Sequence, residues 1–198
     1  METRTNQSQV TIETRADGSR KIKGLASPVY NGSAGTEYEL MDGVFERFMP
    51  GAFDRHLQTA PEIISTYNHD KSKVLGRTPH TLRVWSERDG LHYEVDLPET
   101  SFGKDLLISI ERGDVKFSSF GFIPSKAKWT RDGDKEVREI HEAKLISVDP
   151  VTVPAYGGSN VGLRSAEERA AIEAERQAWL AEVETEKREA RLKEILSK

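Results

Sequence analysis

The sequence predicts a mostly β domain followed by one long helix, and three observations carry that fold class. Short apolar runs with strand alternation recur between residues 10 and 156, among them Val10-Thr11-Ile12-Glu13-Thr14 and Leu91-His92-Tyr93-Glu94-Val95-Asp96-Leu97. Turn chemistry separates them, with Asp-Gly pairs at Asp89-Gly90 and Asp132-Gly133. From Ser165 onward glycine and proline vanish and Ala, Glu, Arg and Lys dominate, the composition of a continuous helix.

At 198 residues the chain suits one domain with a sizeable core plus an appendage. Hydrophobic residues make up 36% and charged residues 31%, and no apolar run approaches transmembrane length, so no membrane partner is expected. Met1 to Arg15 is polar and offers no apolar segment for a secretory signal. A net charge of -4 with no basic face speaks against nucleic acid as a partner. The absence of cysteine excludes disulfides, thiolate metal sites and a cysteine nucleophile, leaving serine, threonine, lysine or a carboxylate for covalent chemistry.

Taken in order, residues 1 to about 8 read as a loose arm. A hairpin follows, from Val10–Thr14 through the turn Ala16-Asp17-Gly18-Ser19 into Lys21–Ala26. A Gly-, Ser- and Asn-rich loop from Asn31 to Thr36 is followed by Tyr38-Glu39-Leu40-Met41 and then Gly43-Val44-Phe45-Glu46-Arg47-Phe48. Pro50-Gly51 then breaks the chain ahead of a short helix through Asp54-Arg55-His56-Leu57. The apolar strand Ile63–Tyr67 runs into Asn68-His69-Asp70 and a polar turn at Lys71-Ser72-Lys73, before Val74-Leu75-Gly76 resumes. Thr81–Trp85 and Leu91–Leu97 form the next hairpin. Ser101 is the expected cap of a helix over Gly103 to Arg112, because Leu106, Leu107 and Ile110 share a face and Gly113 stops it. A charged hairpin at Arg131–Asp134 leads to Arg138–Ala143 and Lys144–Asp149, and Pro150 to Tyr156 closes the β region. Ser165 and Glu168 form a capping-box pattern, and Ile172, Trp179, Val183, Leu192, Ile195 and Leu196 make an interrupted apolar stripe. That stripe suits either a partner helix or light packing of a solvated one.

The chemistry centres on Lys116-Phe117-Ser118-Ser119-Phe120-Gly121-Phe122. Alternation puts Ser119 with Phe117 and Gly121 on one face, and Ser118 with Phe120 and Phe122 on the other, so the two hydroxyls have different surroundings. Each is either a small core filler bonded to a carbonyl or a nucleophile in need of a base. Among five histidines, His69 ends an apolar strand beside small polar residues, a place for either a surface side chain or a base held against another strand. His56, His80, His92 and His141 read as helix, loop or strand-surface residues. His69-Asp70 lacks a second histidine at metal-ligating spacing, and Tyr156-Gly157-Gly158-Ser159 lacks the spacing and lysine of a nucleotide loop, so neither a metal nor any other cofactor is expected.

Six short pieces then stand in one order: Gly24-Leu25-Ala26, Glu46-Arg47-Phe48-Met49-Pro50-Gly51-Ala52-Phe53, Tyr67-Asn68-His69-Asp70, Gly76, Ser119-Phe120-Gly121-Phe122 and Val151-Thr152-Val153-Pro154-Ala155-Tyr156. Together they resemble the prohead (procapsid maturation) serine proteases of tailed bacteriophages. The resemblance spans roughly residues 20 to 160. That family is similar to the herpesvirus assemblins, which implies a closed, mostly antiparallel β-barrel ringed by helices, ahead of the long C-terminal helix. The implied organisation is an N-terminal arm and first strand over residues 1–20, a protease domain over 21–164 and a charged helix over 165–198.

Position by position, the resemblance puts the family's histidine at His69 and its serine at Ser119, with Ser118 at the preceding position facing the other way. The family's acid, aliphatic, serine pattern before the last strand reads here Ser147-Val148-Asp149. Acid and hydroxyl are exchanged, and an i to i+2 exchange keeps both on one strand face. Asp149 is therefore the implied third member, with Ser147 as the alternative, or the site is a Ser-His dyad. The Tyr156-Gly157-Gly158 loop is either a source of oxyanion donors or a plain turn. The implied partners are the major capsid protein and its scaffolding segment, cleaved inside the assembling procapsid in the host cytoplasm, with self-cleavage and possible self-association through residues 165–198. A catalytically impaired scaffolding protein that keeps the same domain is the other reading.

Overall fold

A computed structural model describes residues 1–152 and 165–197. The segment Val153–Tyr156 and the Tyr156-Gly157-Gly158 loop lie outside the described residues. The chain divides into two compact units, Met1–Gly162 and Leu163–Lys198.

In the first unit the strands are β1 (Glu2–Asn6), β2 (Thr11–Thr14), β3 (Arg20–Pro28), β4 (Tyr38–Met41), β5 (Val44–Phe48), β6 (Ile64–Tyr67), β7 (Asp70–Arg77), β8 (Leu82–Ser86), β9 (Gly90–Asp96), β10 (Phe117–Asp132) and β11 (Lys135–Val151). A 3₁₀ turn at Ala34–Thr36 and the helices α1 (Asp54–Leu57) and α2 (Ser101–Glu111) join them. β2, β3, β9 and β8 form a four-stranded antiparallel sheet in that order. The second sheet has seven strands, in the order β1-β10-β11-β5-β4, with β6 also on β11 and β7 on β6.

Neither sheet closes, which corrects the expected barrel. The spine is the hairpin of β10 and β11, 16 and 17 residues long. β11 is long enough to take two further neighbours, β5 along Glu136–Ile140 and β6 at Ser147, and both run parallel to it. β5 and β6 flank α1, so the chain returns to the same strand in the same direction through a crossover, and the sheet forks instead of curling onto its own edge.

The expected loose arm at residues 1 to about 8 is also corrected. β1 pairs antiparallel with β10 from Glu2↔Phe122 to Asn6↔Ser118. Its polar composition hides a buried charge cluster: Arg4 Nε donates to Glu46 at 2.6 Å, Arg4 Nη2 to Glu2 at 2.7 Å, and Arg138 Nη1 to Glu46 and Glu2 at 2.9 and 2.8 Å. Charges so deep persist only when paired, which is why four of them converge.

The core packs Phe48 edge-on against Phe120 (5.2 Å) and Phe122 (5.0 Å), with Tyr38 and Phe53 completing the cluster. Each such aromatic pair adds about 0.5–1.5 kcal/mol beyond its area. α2 is capped by Thr100, one residue before the expected Ser101, its hydroxyl accepting from Gly103 N, and it buries Leu106, Leu107 and Ile110 as its spacing predicts. Gly113, at φ 79°, ends it.

Gly24 explains its own identity. A Cβ there would stand 2.5 Å from Tyr93 Cε1 and 2.6 Å from Ser118 Oγ, both in the buried interior. Gly24→Ala is therefore expected to cost about 1–3 kcal/mol through overpacking. Thermal unfolding should show a melting temperature several degrees lower, and an unchanged curve would contradict the tight packing.

The second unit is α3 (Ala166–Leu196), capped by Ser165 Oγ accepting from Glu168 N at 3.0 Å. Glu173–Arg176 and Glu184–Lys187 pair along its surface, and Leu192, Ile195 and Leu196 are exposed near its end. Among the described residues no helix is long and apolar enough to cross a membrane.

Candidate active site

Local chemistry turns the chain sharply at His69. β6 and β7 are joined by two residues, Asn68 and His69, between the paired Tyr67 and Asp70, and both have positive φ (54° and 61°). Two-residue hairpins need this backbone because it matches strand twist, and asparagine tolerates it. The turn is therefore at Asn68-His69, while Lys71-Ser72-Lys73, expected to turn, lies within β7. For histidine the left-handed conformation costs on the order of 1 kcal/mol or more, so it persists only where the surroundings enforce it. Here Asn68 N donates to Pro150 O at 3.1 Å and Asn68 Oδ1 accepts from Thr152 N at 3.0 Å, which fastens the turn to the end of β11.

Register brings the other groups to the same place. Ser119 pairs with Asp149 and Gly121 with Ser147 across β10 and β11, while Thr5 of β1 is the partner of Ser119 on its other side. These positions share one face by alternation. His69 Nε2 lies 2.9 Å from Ser119 Oγ, and His69 Nδ1 lies 2.8 Å from Asp149 Oδ2. Hydroxyl, imidazole and carboxylate thus form one unbroken line of contacts. The His69 side chain keeps 22% of its surface exposed, whereas Ser119 and Asp149 have none.

The carboxylate of Asp149 is held on both oxygens. Oδ1 accepts from Thr66 N (2.7 Å) and Thr66 Oγ1 (2.6 Å), and Oδ2 accepts from Ser147 Oγ (2.7 Å) as well as facing His69. Four hydrogen-bond partners are what an ionised carboxylate can fully use, so a buried negative charge is satisfied here without a lysine or arginine. The exchanged Ser147 and Asp149 work together: the acid meets the imidazole and the hydroxyl steadies the acid. Gly121 leaves room for this, since a Cβ on it would sit 3.0 Å from Ser147 Oγ.

Ser118 faces the other way, into the core, with its Oγ 3.1 Å from Tyr93 OH. Burial pushes the Tyr93 hydroxyl above its ordinary range, so that contact is between neutral groups. Asp70, next to His69 in sequence, turns away to accept from Ser72 N and Oγ at 2.9 and 2.6 Å, and these bonds lower its pKa. His92 contacts Asp89 (2.8 Å), His141 contacts Glu139 (3.2 Å), and His56 Nδ1 accepts from Leu145 N at 3.1 Å. Burial, reinforced by the nearby Lys144 charge, lowers the pKa of His56 and favours the neutral ring that can accept this bond. Thr66 and Thr5 were not legible as site residues, because threonines in strands are common and only register brings these two to the site.

A family model described as caudovirus prohead serine protease matches residues 8–173 of the chain. Among solved structures, the chain is similar to the bacteriophage T4 capsid assembly protease, gp21, with a TM-score of 0.44 and 12% sequence identity, over 75% of this chain and 96% of that one. No curated protein matches the sequence.

Proposed function

The chain belongs to the caudovirus prohead serine protease family, and from that premise we propose that it is a serine endopeptidase that cuts capsid components during procapsid maturation. The single observation that supports this most is the line of contacts from Ser119 through His69 to Asp149, at 2.9 and 2.8 Å. In this reading Ser119 is the nucleophile, His69 the general base and Asp149 the group that orients the imidazole.

The reaction runs in two halves. His69 Nε2 takes the Ser119 proton as Oγ bonds to the scissile carbonyl carbon, and the imidazolium then gives that proton to the leaving amine as the C–N bond breaks. Water, deprotonated by the same imidazole, cleaves the acyl-serine and restores the hydroxyl. Asp149 keeps the hydrogen on Nδ1, so that Nε2 presents the lone pair the first step needs. General base assistance of this kind contributes about 10²–10⁴-fold. Ser119 has no exposed surface, so a peptide carbonyl reaches its Oγ only after neighbouring chain shifts.

The substrates in this reading are the major capsid protein and its scaffolding segment, inside the procapsid in the host cytoplasm, with self-cleavage. In this reading α3, within residues 165–198, is an interaction helix, whose exposed Leu192, Ile195 and Leu196 suit contact with the scaffold, capsid subunits or a second copy. Co-expression with a major capsid protein and its scaffolding segment tests both parts by mass spectrometry and particle purification. Capsid protein should be trimmed with the wild type and intact with His69→Ala, and deletion of residues 165–198 should abolish packaging of the protease while soluble peptide is still cut. Ordered particles without trimming by the wild type would favour the non-catalytic scaffolding role, and packaging that survives the deletion would remove the helix from the account.

A further inference from the structure

The hydroxyl of Ser119 has more company than a base alone. Besides His69 Nε2 at 2.9 Å, it donates to the Arg4 carbonyl at 2.8 Å and accepts from Thr5 Oγ1 at 3.2 Å. The last two partners come from β1. That strand is fixed: its Arg4 guanidinium is bonded to Glu46 and Glu2, Arg138 bridges the same two carboxylates, and the Arg4 and Glu46 side chains have no exposed surface.

A hydroxyl offers one hydrogen and two lone pairs. When its hydrogen points at the Arg4 carbonyl, His69 Nε2 must carry a hydrogen of its own to bond Oγ. When the hydrogen points at Nε2, ready for transfer, the Arg4 contact is lost. Of these three contacts, only the one from Thr5 is the same in both arrangements, because its hydroxyl donates to Oγ either way. Threonine is also restricted at χ1, so this donor is held in direction as well as distance. On an oxygen of a residue with no exposed surface, such a donor takes the place that solvent would fill as charge develops.

We propose that Thr5 is a catalytic-centre residue: its hydroxyl fixes the Ser119 side chain and keeps a donor on Oγ while the proton passes to His69. The proposal rests on the protease reading of Ser119. It makes β1, through Arg4 and Thr5, a contributor to the reacting centre from far away in sequence.

The test uses the full chain and 4-nitrophenyl acetate, a small activated ester that acylates a reactive serine directly. Steady-state kcat and KM are measured for the wild type, Thr5→Val and Thr5→Ser, with Ser119→Ala as the background, and peptide mapping locates the acetyl group. Loss of one hydrogen bond to a developing charge should lower kcat about tenfold in Thr5→Val with KM unchanged, and Thr5→Ser should stay within about twofold of wild type. Equal kcat for Thr5→Val and wild type, or a Thr5→Ser as slow as Thr5→Val, overturns the proposal. If Thr5→Val shows no cooperative melting, Thr5→Ser and Thr5→Ala make the comparison by the hydroxyl alone; serine fast and alanine slow supports it, and equal rates overturn it. A wild type that never carries acetyl on Ser119 is a different failure, of the protease reading itself.

Discussion

Ser119→Ala is expected to reduce cleavage by about 10⁴–10⁶-fold, the range seen when a serine nucleophile is removed from an intact site. The fold should survive, since the serine is small and contributes polar contacts, to Thr5, His69 and the Arg4 carbonyl among them, more than packing. Ser118→Ala is the contrasting variant. It removes the partner of the buried Tyr93 hydroxyl, so it should lower stability by about 1–3 kcal/mol while leaving turnover largely in place. Mass analysis of co-expressed capsid protein, together with thermal unfolding of each variant, separates the two serines. Trimming that persists in Ser119→Ala and stops in Ser118→Ala would move the nucleophile to the core face, against the 2.9 Å contact with His69.

Asp149→Asn should be nearly as damaging, by about 10⁴-fold in kcat, and the surrounding donors give the reason. Thr66 N can only donate, and it points at one end of the Asp149 carboxylate from 2.7 Å. An asparagine must therefore turn its carbonyl to Thr66 and its NH₂ to His69 Nδ1. Nδ1 then has to accept, the ring hydrogen moves to Nε2, and the imidazole loses the lone pair that receives the Ser119 proton. Ser147→Ala leaves the carboxylate and three of its partners in place, so its effect should be tenfold or less. Steady-state kinetics on the ester or on a capsid-derived peptide decides the order. If Ser147→Ala were the more damaging of the two, the hydroxyl would be the third member and Asp149 its support.

The position of β1 has a practical consequence. Additions to or deletions from β1 act on a strand whose Arg4 carbonyl and Thr5 hydroxyl both reach Ser119. Loss of activity in such variants is expected from geometry, without any role for a disordered arm. The charge cluster that holds the strand is invisible to a hydropathy reading, because Glu2, Arg4, Glu46 and Arg138 are individually the most solvent-loving of residues. Their burial follows only from mutual pairing.

Much of the local structure was legible in order. The hairpins of β2 with β3 and β8 with β9, the helix stop at Gly113, and the capping of α3 by Ser165 all follow from turn residues and periodicity that act within a few positions. The opposite facing of Ser118 and Ser119 is a period-two consequence of the same kind, and the exchange of Ser147 with Asp149 was readable as conserving a face. What misled was anything set by pairing at a distance. The closed barrel gave way to a forked sheet because one strand, β11, accepts both β5 and β6 in parallel. The polar turn moved from Lys71–Lys73 to Asn68-His69 because register with β6 and bonds to β11 fixed where the chain reverses.

The sequence by itself determined the strands β2, β3, β6, β8 and β9, which serine faces away from the aromatic core, and that an acid and a hydroxyl share a face at 147 and 149. Only the tertiary structure decided that Asp149 meets His69, that Thr66 and Ser147 hold it there, and that Thr5 stands against Ser119. The physical reason is that alternation and turn propensity act over a few residues of chain. The contacts of Ser119 instead join positions 50 to 115 residues apart, and these depend on register across strands that no local rule sets.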